Sequence, residues 1–338
     1  MISKQRLTLG LMLLCIALLF VWASNRLRQE PLQLFLFGDP IEIPATQAVD
    51  VMGRSDVIFT PPAEISQPRE RRTFIPLSTE QIQNLHDFSY LTNRIFLVDP
   101  ETILLPTDID VHSFLEADLT IDTSVQGPVV LIFHTHSTEM FTDSNSQDAF
   151  SGIMGTGRYL AQVLSEHHGL EVLHHTGRFD IVDGVPRIQG SYERMEPSIR
   201  RILEENPSIQ VVIDLHRDGV GANAPAFTRD IDGIPTAQLM FFNGLSRQNL
   251  SGQAVDIARL PNPYQQENLN FSFRLQLAAN QMYPGLARRV YLRQFRYSLH
   301  MAPLSTLVEV GNQHNTQREA KNAMYPLADI IAAVVIGM

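Results

Sequence analysis

From Val129 to Gly311 the chain repeats one hydropathy pattern: a short apolar run, a polar break, then a stretch of helical periodicity. VVLIF (129–133), LEVLHHT (170–176), VVIDL (211–215), QLMFF (238–242), RRVYLRQF (288–295) and STLVEVG (305–311) read as strands. RYLAQVLSEHHG (158–169), SYERMEPSIRRILEENP (191–207) and NLNFSFRLQLAANQM (268–282) read as helices. So does TQREAKNAMYPLADIIAAVV (316–335), opened by a capping box of Thr316 and Glu319. Its charged first half and Pro326 make it a core helix rather than a membrane span. Apolar runs without alternation belong to strands buried on both faces, and the intervening helices supply the crossovers that parallel strands need. The expected fold is α/β, a mostly parallel sheet flanked by helices on both faces, with its site at the carboxyl ends of the strands. Upstream, STEQIQNLHDFSYLTN opens like a helix capped by Ser78 and Gln81.

Three strands end in groups that carry chemistry. VVLIF runs into His134, Thr135, His136, Ser137, Thr138 and Glu139; VVIDL runs into His216, Arg217 and Asp218; and Glu309 stands between Val308 and Val310. The one cysteine, Cys15, lies in an apolar N-terminal run, so any metal must be held by His, Asp or Glu. A hydrolytic zinc site takes about three such ligands, an open position for water and a carboxylate that accepts the water's proton. His134 and His136 fall on one face if the strand continues, so that one binds metal and the other supplies hydrogen bonds. Glu139 has the alternative reading of a helix or turn cap. Glu309 is the sharpest single residue, because a buried carboxylate is costly without a partner and the same desolvation tunes it toward a general base. His300, a short way upstream of Glu309, is a candidate substrate contact. His167, His168, His174 and His175 read as packing or solvated residues.

The first thirty residues differ in kind. Leu7 to Ala23 carries no charge and is flanked by Lys4, Arg6, Arg26 and Arg28. The run suits an uncleaved membrane anchor, with a cleaved signal as the alternative. Residues 1–29 are read as that anchor, 30–77 as a Pro-rich stalk and 78–338 as the catalytic domain, on the extracytoplasmic side of the cell membrane. With 36 acidic and 26 basic side chains, a net charge of −10, the chain has no footprint for nucleic acid. Nor does it steer toward an anionic wall, so recruitment is expected to depend on tethering or a partner.

VVLIFHTHSTEMF (129–141), GSYERM (190–195), NPSIQVVIDLHRDGV (206–220), AQLMFF (237–242), NLNFSFRLQLAANQMYPGLAR (268–288) and RYSLHMAPLSTLVEVGNQHNTQREA (296–320), with a weaker FSYLTNRIFLVDP (88–100), resemble in order the stage II sporulation protein P family of peptidoglycan hydrolases. The resemblance spans roughly residues 86–338. It implies a zinc-dependent N-acetylmuramoyl-L-alanine amidase fold that cuts the amide between the glycan's lactyl group and the stem peptide. Carried over by motif, His136, Glu139 and His216 are the implied metal ligands, with His134 as the alternative ligand or supporting residue. Glu309 is the implied catalytic base and acid, and His300 and Arg217 are substrate-binding candidates. The family is further credited with cutting peptide cross-links, and with working beside a lytic transglycosylase and membrane sporulation proteins in engulfment. The stretches SQDAFSGIMGTG and SRQNLSGQAVDIARLPNPYQ depart from the pattern.

Two rivals remain at the level of sequence. A metal-dependent phosphoesterase or amidohydrolase barrel needs about eight strand-helix units, more than the six strands read here. A wall-binding scaffold without turnover would have no use for Glu309 in a buried strand.

Overall fold

The computed structural model describes residues 71–337. The expected anchor (1–29) and most of the stalk lie outside the described residues; among those described, no helix is long and apolar enough to cross a membrane. In chain order the elements are α1 (Thr79–Leu85), β1 (Phe96–Val98), α2 (Val111–Glu116), β2 (Val130–Phe133), α3 (Ile153–His168), β3 (Val172–His174), β4 (Ile181–Val182), β5 (Val185–Pro186), α4 (Ser191–Glu205), β6 (Val211–Asp218), β7 (Thr228–Ile231), β8 (Ile234–Ala237) and β9 (Leu239–Gly244). They continue with β10 (Arg247–Leu250), β11 (Gln253–Asp256), α5 (Gln265–Met282), β12 (Ala287–Arg293), β13 (Ser305–Asn312), α6 (Gln317–Asn322) and α7 (Met324–Val335).

Seven strands form one open sheet in the order β1-β12-β9-β13-β6-β2-β3, so the closed barrel does not arise. Its pairings are parallel except at β9 and β13, which run antiparallel. Between β6 and β9 the chain makes the β7–β8 hairpin instead of a crossover helix, and β9 enters the sheet running the other way. The α/β expectation holds, with this reversal as the correction to it.

Alternation along the strands divides the core in two. On one face Val130, Ile132, Val211, Ile213 and Phe241 pack with residues of α3, α5 and α7. On the other, Leu131, Phe133 and Val212 pack against Met195, Ile199 and Ile202 of α4. Each of these buried side chains contributes about 1.5–3 kcal/mol by area, enough to seat α4 over β2 and β6.

Helix boundaries show local chemistry at work. α3 starts at Ile153, earlier than its apolar pattern suggests, through a glycine-rich turn. A Cβ at Gly155 would lie 1.9 Å from the Phe150 carbonyl oxygen, and one at Gly157 would lie 2.5 Å from the His134 ring. The helix stops where expected, at Gly169 with φ +68°. Both expected capping boxes form, at Ser78–Gln81 and Thr316–Glu319. The long C-terminal helix is instead two helices with a break at Ala323, and Pro326 sits in the first turn of α7, where its missing N–H costs nothing.

Candidate functional site

Because of the reversal, one edge of the sheet collects the carboxyl ends of β2, β6 and β13 together with the amino ends of β9 and β12. Glu309 is paired with His216 on β6 and with Met240 on β9, and Met240 is paired with Arg288 on β12. Directly paired residues share a face, so Arg288, Met240, Glu309 and His216 make a row across four strands. It lies on the α4 face, where Val212 sits four residues before His216 on the same strand.

Glu309 is a partly open position in a strand buried on either side of it. Its Oε2 is buried without a hydrogen-bond partner. Burial pushes its carboxyl up to about 8, opposed by His216 and reinforced by Glu139 and Asp218. Asp218 accepts from Arg288 Nη2 at 2.8 Å, and the Arg288 guanidinium lies 4.2 Å over the Phe227 ring. Arg288 and Asp218 thus place one charge of each sign beside the carboxyl.

His216 stands between two carboxylates, with Nε2 2.7 Å from Asp214 and Nδ1 3.5 Å from Glu139. Burial works against its charge, but Asp214 and Glu139 outweigh burial and hold the imidazole protonated well above its ordinary range. Asp214 is buried too, which alone would raise it; His216, the Thr135 amide at 2.9 Å and the Thr135 hydroxyl at 2.7 Å bring it down. Glu139 accepts the Arg217 amide at 2.9 Å, and Arg217 Nε donates to the Met140 carbonyl at 2.9 Å. Arg217 therefore clamps the loop that carries Glu139.

The two histidines of the first loop part company. The strand ends at Phe133, so the alternation expected to put His134 and His136 on one face does not extend to them. His134 is fully buried, with Nδ1 2.7 Å from the Leu215 carbonyl and Nε2 2.8 Å from His174 Nε2. A carbonyl only accepts, so Nδ1 carries the proton, Nε2 accepts, and His174 donates to it. Burial keeps His134 neutral by lowering it to about 4. Both of its nitrogens are used. His136 instead packs edge-on against Tyr192 and His216, with ring centroids 5.6 and 5.3 Å away, and its Nδ1 is buried with no partner. Burial lowers its pKa, leaving a neutral nitrogen free to donate a lone pair. The loop from His136 to Glu139 is pinned by Asp180, which accepts from the Ser137 hydroxyl at 2.6 Å and the Thr138 amide at 2.8 Å.

His300 sits elsewhere. It is 4% exposed, with Nδ1 3.1 Å from the Tyr297 carbonyl and Nε2 3.0 Å from Glu196 of α4. Its contacts fasten the 296–300 turn to α4 rather than meeting the carboxylates of the row.

Among the described residues no three His, Cys, Asp or Glu side chains already stand close enough to hold a metal ion. The donor chemistry of His136, Glu139 and His216 nevertheless suits one: an orphaned imidazole nitrogen, a carboxylate, and a second imidazole whose other nitrogen is oriented by Asp214. Binding would have to displace the His216 proton that faces Glu139.

Charge in this cluster gives a pH signature. Between about pH 6.5 and 8, Glu309 and His216 bind more protons in the folded chain than unfolded, so stability falls as pH rises. His134, His136 and His174 are lowered, so near pH 6.5 they bind fewer protons folded than unfolded and oppose this slope; above about pH 7.5 they are neutral in both states and add none. In chelator, the melting temperature is expected to drop from about pH 7.5 to 9, and by less in Glu309→Gln; thermal scans check both.

A family model described as "Stage II sporulation protein P (SpoIIP)" matches residues 76–332. The chain belongs to the stage II sporulation protein P family. A curated member, stage II sporulation protein P of Bacillus subtilis (strain 168), is 24% identical over 221 residues, 60% of this chain and 50% of that protein. The chain therefore spans about half the length of the curated relative it matches. Among solved structures it is similar to the N-acetylmuramoyl-L-alanine amidase AmiC2 of Nostoc punctiforme, 15% identical at a TM-score of 0.34, covering 63% of this chain and 98% of that one. It is also similar to the CwlD amidase of Clostridioides difficile, solved in complex with the GerS lipoprotein, 15% identical at a TM-score of 0.36, covering 62% and 95%. The family match takes in every residue of the site.

Reading the sequence alone misses Asp214, Asp180, Arg288 and Tyr192. Asp214 is signalled only by its place two residues before His216 on a strand, a spacing that puts both on one face. Arg288 carries no local signal, because its place depends on the reversed β9.

Proposed function

We propose that this chain is a zinc-dependent peptidoglycan hydrolase that cuts the amide between N-acetylmuramic acid and the L-alanine of the stem peptide during wall remodelling in sporulation. The observation that carries the reading is Glu309, a carboxyl titrating near neutrality with a free Oε2, placed across from His216 at the edge where Glu139 and His136 converge. Membership of the family supports it.

His136, Glu139 and His216 would hold the zinc ion. When bound, it supplies Lewis-acid polarisation of the amide carbonyl and acidifies the attacking water. Glu309 takes the water's proton at Oε2 and returns it to the leaving nitrogen, work for which a pKa near the operating pH is the best compromise. Asp214 fixes the ring of His216, so that Nδ1 is the nitrogen turned toward Glu139. Arg217 and Asp180 hold the loop of His136 and Glu139 in place before substrate arrives.

The same reading includes tethering by residues 7–23 to the cell membrane, with the domain outside the cytoplasm, and action alongside a lytic transglycosylase and membrane sporulation proteins. The purified chain, incubated with peptidoglycan, is expected to release free stem peptides and peptide-free glycan by mass spectrometry. Chelator should stop release and zinc should restore it. Zinc bound without any product, or product that is indifferent to chelator, would overturn the reading.

A further inference from the structure

We infer that the hydroxyl of Tyr192 is a hydrogen-bond donor to the substrate, placed to bind the amide carbonyl oxygen as negative charge builds on it; the inference rests on the hydrolase reading above. Tyr192 lies in the first turn of α4, half-buried, on the face of the sheet that carries Glu309 and His216. Its ring meets that of His136 edge-on, with centroids 5.6 Å apart. None of the hydrogen bonds of the described residues takes its hydroxyl, and α4 packs over the strand that carries Asp214 and His216. Nor is that hydroxyl among the buried atoms left without a partner, so it is open to a ligand on the face of the sheet that substrate must approach to reach Glu309.

The side chain is held ready rather than left loose. Tyr297 packs edge-on against it at 5.5 Å and against Phe242 at 4.7 Å, from a strained left-handed backbone with φ +51°. That turn is fastened to α4 by Glu196, one helical turn beyond Tyr192. Glu196 meets His300 at 3.0 Å and Arg296 at 3.1 Å. Tyr192 and Glu196 share a helix face, so the clamp that orders the turn also fixes the wall against which Tyr192 rests. A phenol is protonated near neutral pH, so it gives a hydrogen bond and keeps its proton throughout. No bond to Tyr192 is made or broken. A fixed donor aimed at developing charge requires no rearrangement at the moment of reaction.

Tyr192→Phe removes the hydroxyl and keeps the ring against His136. With the full chain and peptidoglycan, kcat is expected to fall about 10²–10³-fold, the usual loss of one such donor, with KM little changed. Zinc stoichiometry and melting temperature should match the parent. If kcat stays within about threefold of the parent's, or falls only in proportion to lost zinc, the inference is overturned and Tyr192 merely packs His136. If the parent itself releases no product, the hydrolase reading fails and the inference falls with it.

Discussion

Glu309→Gln is expected to reduce hydrolysis of peptidoglycan by about 10²–10⁴-fold while leaving the chain folded. The substitution keeps the shape of the side chain and its place opposite His216 and Met240, but the amide cannot accept the proton of water. Ground-state affinity should survive, so the loss belongs in kcat with KM near the parent's. The substitution also removes a carboxyl that desolvation disfavours when ionised, so above about pH 8 the variant should melt higher than the parent. Activity and stability moving in opposite directions is the signature of a residue kept for chemistry. Turnover on purified peptidoglycan and thermal scans across pH check it; an active Glu309→Gln would remove Glu309 from the mechanism.

The second large effect falls on a residue that touches no substrate. Asp214→Ala strips the partner from His216 Nε2 and from both the amide and the hydroxyl of Thr135. Breaking a buried pair on one side leaves the other charge without compensation, at a cost of about 3–5 kcal/mol. His216 then loses its fixed orientation, and zinc affinity should drop by about 10–100-fold, as when a ligand's supporting hydrogen bond is removed. Urea unfolding measures the first effect and competition with a chromophoric chelator the second. Asp214→Asn, which retains an oxygen for Thr135, should recover part of the stability and less of the affinity. Equal zinc affinity in parent and Asp214→Ala would show that His216 needs no such support.

Much of the sheet was legible because its strands are uninterrupted apolar runs, and polar residues at their ends pointed to an edge. Glu309 stood out for the same reason: a charge between Val308 and Val310 contradicts its surroundings. Less legible was anything that depends on strand direction. The hairpins β4–β5, β7–β8 and β10–β11 have little hydropathy to announce them, and β7–β8 precedes the strand that reverses. Hence Arg288, paired through Met240 into the same row as Glu309, could not be placed from its own neighbours. Which of His134 and His136 keeps a free nitrogen depends on where β2 stops, a matter of one residue. Once the strand ends at Phe133, His134 is committed to Leu215 and His174, and His136 is left with a free nitrogen. His300, close in sequence to Glu309, is bound instead to Glu196, because proximity along the chain does not determine which element a turn folds against.

The position of β13 has a consequence for biogenesis. It is the last sheet strand along the chain, yet it sits at the centre, with β1, β12 and β9 on one flank and β6, β2 and β3 on the other. Until it docks, nothing hydrogen-bonds one flank to the other, and the closure is long-range in sequence, which slows folding. Glu309 rides on that strand. On the proposed mechanism, a nascent chain can assemble β2, β3 and β6 while it still lacks its base, and hydrolysis would become possible only in the step that completes the sheet.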